Sequence, residues 1–196
     1  RPAVSLAQEA GIELGQKGIK VNKYLETSAK DVYAVGDAIE YPSPLTGISW
    51  LNYLANPANR QGRIVGDNMV YGNKEEYEGA IGTSIAKVFD ITVGATGMPA
   101  KQLKKLEIPF KSSTTWTVAH AGYYPGSFQI TTKLTFDPEN GKLYGGQCVG
   151  HDGVDKRIDQ LSLIIKHGGT VYDLVKLEHA YAPPFSAAKD AIAIAG

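Results

Sequence analysis

Only one cysteine, Cys148, stands in the 196 residues, so the chain can form no internal disulfide. That fits a reducing compartment such as the cytoplasm. Net charge is missing too. The 20 basic residues are balanced by 20 acidic ones, which removes the bulk electrostatic footprint expected for nucleic acid or an anionic membrane. No apolar run approaches the ~20 residues needed to span a bilayer. The opening stretch RPAVSLAQEAGIEL has neither the charged head nor the apolar core of a secretion signal. His120, His151, His167 and His179 show no HxxxH or HxH spacing, so no metal site is expected. CxxC and GxGxxG are both absent, and GGQCVG has the wrong spacing for a phosphate loop. An opening without methionine and a small apolar close, DAIAIAG, read as a piece cut from a longer chain.

What is present changes character midway. Residues 3–11 fit a short amphipathic helix ended by glycine. Ile19–Val21 and Asp31–Asp37 read as strands, the second uncharged between its ends, as a buried parallel strand would be. Asn56 followed by Pro57 predicts a capped helix start running to Gly72, and KEEYEG then reads as a solvated linker. Beyond it, KVFDITV and TTWTVAH read as strands, and Pro99 opens a short helix through Leu103 and Leu106. FQITTKLTF and LYGGQCV flank the turn DPENGK as an antiparallel hairpin, with Phe128, Ile130, Leu134 and Phe136 expected on one face. Val154, Ile158, Leu161 and Ile165 then form one helical stripe closed by Gly168 and Gly169, and Thr170 with Asp173 resembles a capping box. The expected fold is α+β, an α/β fragment followed by an antiparallel sheet with flanking helices.

Three candidate sites emerge. In TSAKDVYAVGDA, Thr27 to Ala38, Gly36 and Asp37 end a strand at the sheet edge where α/β folds bind ligands. Asp37 could accept hydrogen bonds from the hydroxyls of a ribityl or ribose chain while Gly36 lets the ligand approach; equally, Asp37 could cap the following turn. The helix start in YLANPANRQGR offers free N–H groups and a positive dipole end, suited to the anionic edge of a reduced flavin, or it is an ordinary capped helix. Tyr123 and Tyr124 in HAGYYPG, with Tyr181 in YAPPF, could donate hydrogen bonds to a redox sulfur without being acidic. Alternatively they are turn and interface packing. Cys148, mid-strand among glycines, reads as core.

TSAKDVYAVGDA resembles the second FAD-binding motif of the pyridine nucleotide-disulfide oxidoreductases. LAxPANxQGR, KxFDxTVxxTG, HAxYYPG, GGQxVGxDGVDKRID and YAPPFSxAKD extend the resemblance over nearly the whole chain. The later motifs look most like coenzyme A-disulfide reductases and their NADH oxidase relatives. The resemblance implies that residues 1–18 end an NAD(P)H-binding domain, 19–79 return to an FAD-binding domain, and 80–196 form a dimerisation domain. It implies FAD as cofactor, with NADH or NADPH as co-substrate. Gly36 and Asp37 would lie at the ribityl chain, and Leu54 and Ala55 beneath the pyrimidine side of the isoalloxazine. In a homodimer, Tyr123 and Tyr181 would reach the partner's redox cysteine. Hydride would pass from NAD(P)H through FAD to a mixed disulfide between that cysteine and coenzyme A; an NADH oxidase or peroxidase is the alternative. Glutathione reductase-like relatives supply a His-Glu proton relay at a place where this chain reads LEHAYAPP, so that relay is expected to be missing. The chain alone, lacking the redox cysteine and both dinucleotide glycine loops, would be a catalytically silent dimerisation module.

Overall fold

Residues 2–196 are described by the computed structural model. They fall into two units, one ending at Ala80 and the other spanning Ile81–Gly196.

In the first unit, α1 (Ser5–Glu9) is followed by Gly11 at φ 74°. β1 (Ile19–Lys20) pairs in parallel with β2 (Ile39–Pro42), and β2 pairs antiparallel with β3 (Ser49–Trp50). α2 (Ala55–Tyr71) carries Ile64 inward and stops at Gly72, whose φ of 80° a side chain would resist. Leu25, Ile39, Ile64 and Tyr77 form the small core.

Three expectations for this unit are corrected. Asp31–Asp37 is not a buried strand: one antiparallel bridge, Glu26 to Tyr33, is its only strand-type pairing among the described residues, and Val32 and Val35 are exposed. Asp31 at φ 61° and Gly36 at φ 74° turn the backbone at both ends, so a ladder cannot propagate through it. α2 begins at Ala55 with Leu54 as N-cap and no side-chain cap bond, so Asn56 is inside the helix instead of capping it. Pro57 is still tolerated because first-turn amides have no intrahelical acceptor. KEEYEG is not wholly solvated. Tyr77 is buried against Tyr41, whose hydroxyl donates to Tyr77 O at 2.6 Å. Buried Asn68 fixes the same segment by accepting from the Lys74 and Glu75 amides and donating to Glu75 O.

The second unit is a five-stranded antiparallel sheet of β4 (Ser84–Val88), β5 (Ile91–Gly97), β6 (Lys111–Val118), β7 (Gln129–Phe136) and β8 (Leu143–Gly150), in the order β4-β5-β8-β7-β6. The other elements are α3 (Ala100–Lys105), α4 (Val154–Lys166), α5 (Val171–Val175) and α6 (Ala191–Ala195). α4 packs on β5 and β8, and α6 on β6 and β7. The helical stripe is buried as its spacing implies, Val154, Ile158, Leu161 and Ile165 all lying inside. Close approach of α4 depends on two glycines: a Cβ on Gly94 would stand 2.5 Å from Ile158 Cγ1, and one on Gly146 2.7 Å from Leu161 Cδ1. Thr170 and Asp173 form the expected capping box of α5. The whole is α+β, an antiparallel sheet with flanking helices preceded by a short α/β piece.

Here too the sequence reading needs correction. KVFDITV is two strands, not one, folded over at Phe89, which takes φ 52°. No glycine or asparagine marks this turn, so the break is invisible to turn chemistry. On β7, Ile130, Thr132 and Leu134 are buried, but Phe128 precedes the strand and is 47% exposed. A bulge between Thr135 and Phe136 takes Phe136 out of the row.

Candidate functional site

In the first unit, residues 36–38 form a single 3-10 turn lying against the start of α2. Gly36 donates its amide to Gln61 Oε1 at 2.6 Å, a partner the sequence reading missed because it lies on the next helix. Asp37 is exposed and has no hydrogen bond or ion pair among the described residues. The amides of Ala55 and Asn56 have no intrahelical acceptor and no other partner among the described residues. Gly36, Asp37, Leu54 and Ala55 are therefore brought to one end of α2, with an unpaired carboxylate and unpaired amides in the same neighbourhood. A ligand bearing hydroxyls and an electron-rich edge fits that donor and acceptor set, as a flavin nucleotide does.

In the second unit the two tyrosines meet. Tyr123 Oη lies 3.5 Å from Tyr181 Oη, at the long end of hydrogen-bond range, and both rings are exposed. The contact with Tyr181 and slight desolvation raise the Tyr123 phenol above its usual value, so it remains a donor at neutral pH. Tyr124 lies apart from the pair, edge-on to the His120 ring at 5.8 Å.

Beneath the tyrosine loops sits a group that periodicity did not flag. Arg157, fully buried on α4, forks onto Asp190, Nε to Oδ1 at 3.0 Å and Nη2 to Oδ2 at 2.7 Å. Two further N–H groups reach Ala119 O and Gly153 O. Asp190 also accepts from Ser186 Oγ and from the Ile192 amide at the start of α6. Burial pushes the Asp190 carboxyl up, but the bonds and charge of Arg157, with those two donors, outweigh it and hold it below its ordinary value. Local spacing in DKRID does not single out Arg157. A signal was available in hindsight: an arginine inside an apolar stripe must find a carboxylate.

A cavity of about 470 Å³ opens beside this pair, lined by His120, Lys156, Gln160, His179 and Phe185 among others. His179 Nε2 donates to Ala187 O at 3.1 Å, whereas its buried Nδ1 has no partner. No carboxylate hydrogen-bonds that ring among the described residues. Cys148 is wholly buried. Desolvation, against a weak bond from Thr132, pushes its thiol up to about 11, which leaves it protonated and unreactive. No cluster of metal ligands occurs among the described residues, and no helix there is long and apolar enough to cross a membrane.

Known proteins resemble this chain in sequence and fold. The pyridine nucleotide-disulphide oxidoreductase dimerisation domain matches residues 83–192, and a second pyridine nucleotide-disulphide oxidoreductase region matches residues 1–62. An NADH oxidase of Methanocaldococcus jannaschii is 33% identical over 195 residues, 100% of this chain and 43% of that protein. A coenzyme A disulfide reductase of Staphylococcus aureus is 34% identical over 196 residues, 100% of this chain and 44% of that protein. The crystal structure of reduced Bacillus anthracis CoADR-RHD has a TM-score of 0.95 and 46% identity, covering 100% of this chain and 35% of that one. The chain thus spans less than half the length of the curated relatives it matches. Matched over more than half its length by their dimerisation domain, it belongs to the pyridine nucleotide-disulphide oxidoreductase family.

Proposed function

We propose that this chain is the dimer-forming portion of an FAD-dependent, NAD(P)H-linked disulfide reductase whose substrate is coenzyme A disulfide. The observation that carries this reading is the pair of exposed phenol hydroxyls, Tyr123 and Tyr181, 3.5 Å apart. Two converging phenol donors suit a sulfur that becomes negatively charged when a sulfur–sulfur bond breaks. In a homodimer built through residues 80–196, they would serve the redox cysteine of the other subunit. No cysteine of this chain can take that part, because Cys148 is sealed in the sheet.

Flavin chemistry would supply the two-electron relay between a reduced nicotinamide and the disulfide. The parts of this chain that would hold the cofactor are Asp37, accepting from ribityl hydroxyls, and the end of α2 at Leu54 and Ala55, facing the pyrimidine edge. Gly36 gives the turn its positive φ. Residues 1–18 would close the nicotinamide-binding domain and 19–79 would complete the flavin-binding one.

A second reading, an NADH oxidase, has a named relative in its favour. The tyrosine pair and the YAPPF stretch that carries Tyr181 favour the disulfide. The discriminating experiment uses the protein encoded by the complete reading frame containing this chain. Anaerobic NADH or NADPH consumption on addition of coenzyme A disulfide, faster than consumption with O₂ alone, is the expected result. Turnover with O₂ and none with coenzyme A disulfide would replace this reading with the oxidase.

A further inference from the structure

Tyr123 and Tyr181 are 58 residues apart, and neither belongs to a helix or strand. Loops that far apart hold two flexible rings in register only if something fixes both. Tracing the hydrogen bonds from each loop leads to the same place. The first loop begins at Ala119, whose carbonyl accepts from Arg157 Nη2 at 2.8 Å. Two residues on, the Ala121 amide donates to Pro183 O and Ser186 O in the second loop. Ser186 Oγ, itself fully buried, donates to Asp190 Oδ2 at 2.8 Å, and Asp190 returns to Arg157. The circuit Arg157–Ala119–Ala121–Ser186–Asp190 is closed, and each loop enters it close to its tyrosine. Lys156, the neighbour of Arg157, adds a bond from Nζ to Phe185 O at 2.5 Å.

We propose that the buried Arg157–Asp190 pair, acting through Ser186, is the positioning device that sets the Tyr123 and Tyr181 hydroxyls against one another. Its bearing on turnover rests on the function proposed above, but the positioning itself does not. A guanidinium is suited to this task because its planar fork can bind a carboxylate with two bonds and still aim a third at a carbonyl on another segment, which an ammonium cannot do. Arg157 and Asp190 are positioning residues; neither reaches the surface where the phenols lie.

The test reads the tyrosine pair without any substrate. The protein is labelled with 3-fluorotyrosine, which titrates below the range of alkaline unfolding. The Tyr123 resonance, assigned by its loss in Tyr123→Phe, is then followed with pH. Tyr181→Phe calibrates the contact and should lower the Tyr123 midpoint. Ser186→Ala, which keeps the ion pair, and Arg157→Lys, which keeps the charge, should each reproduce most of that drop while the other fluorotyrosine signals stay native-like. If Arg157→Lys does not fold, Ser186→Ala decides alone. An unchanged Tyr123 midpoint in Ser186→Ala, or no drop in Tyr181→Phe, overturns the proposal. Failure of the proposed function would show differently: Tyr123→Phe would leave reduction of coenzyme A disulfide unchanged whatever the resonances do.

Discussion

At the scale of single residues, the ion pair of Arg157 and Asp190 lies buried inside the second unit. Both side chains are essentially out of water, and removing one charge strands the other, a loss of about 3–5 kcal/mol. Asp190→Asn should therefore lower the unfolding free energy by roughly that amount. Its pH dependence has a definite sign. The folded carboxyl titrates below its unfolded value of about 3.9. The contribution is thus fully present above that value and is lost as pH falls through the lower folded value. Denaturation followed at pH 6 and at pH 3 should show a smaller acid-induced loss in Asp190→Asn than in the wild type; equal losses would mean that Asp190 is not depressed. Asp137 and Asp173 are lowered too, by Tyr144 and Thr170 respectively, and leave a residual acid sensitivity of the same sign. The inertness of Cys148 was legible because an uncharged, glycine-flanked strand leaves a thiol nowhere polar to go. Arg157 and Asp190, 33 residues apart, could not be paired from local pattern.

Among the elements, α4 shows how far pattern carries. Its buried stripe followed from 3.6-residue spacing, which puts Val154, Ile158, Leu161 and Ile165 on the side that packs on β5 and β8. The glycines opposite it, at Gly94 and Gly146, were seen as sequence but not as clearance. Gly146→Val would drive branched carbons into Leu161 and Leu134, already within 2.7 and 3.5 Å of a bare Cβ. Overpacking of this kind costs about 1–3 kcal/mol. A drop in denaturation midpoint is expected in Gly146→Val, partly restored by Leu161→Ala in the same chain, and no restoration would place the strain elsewhere. Segments whose conformation depends on backbone exceptions were the ones misread. Phe89 at φ 52° folds one apparent strand into two, and Asp31 and Gly36 bend another out of any ladder. Val32 and Val35 keep the apolar composition of a buried strand although both are exposed. Composition alone therefore pointed to burial that this chain does not provide.

Taken as a whole, the molecule divides its candidate chemistry between its two units. One gathers an unpaired carboxylate and unpaired amides at the end of α2, and the other presents two phenols above a buried ion pair. The motif positions were readable, but the convergence of Tyr123 with Tyr181 and the circuit under them required coordinates. The central claim is that these phenols assist sulfur chemistry, and the most direct measurement is steady-state reduction of coenzyme A disulfide by the complete flavoprotein carrying Tyr123→Phe with Tyr181→Phe. Loss of preorganised donors to a developing charge costs on the order of 10²–10³ in kcat. A fall of that order with FAD content and dimer mass unchanged is the expected result; wild-type kcat in the doubly substituted protein would contradict it.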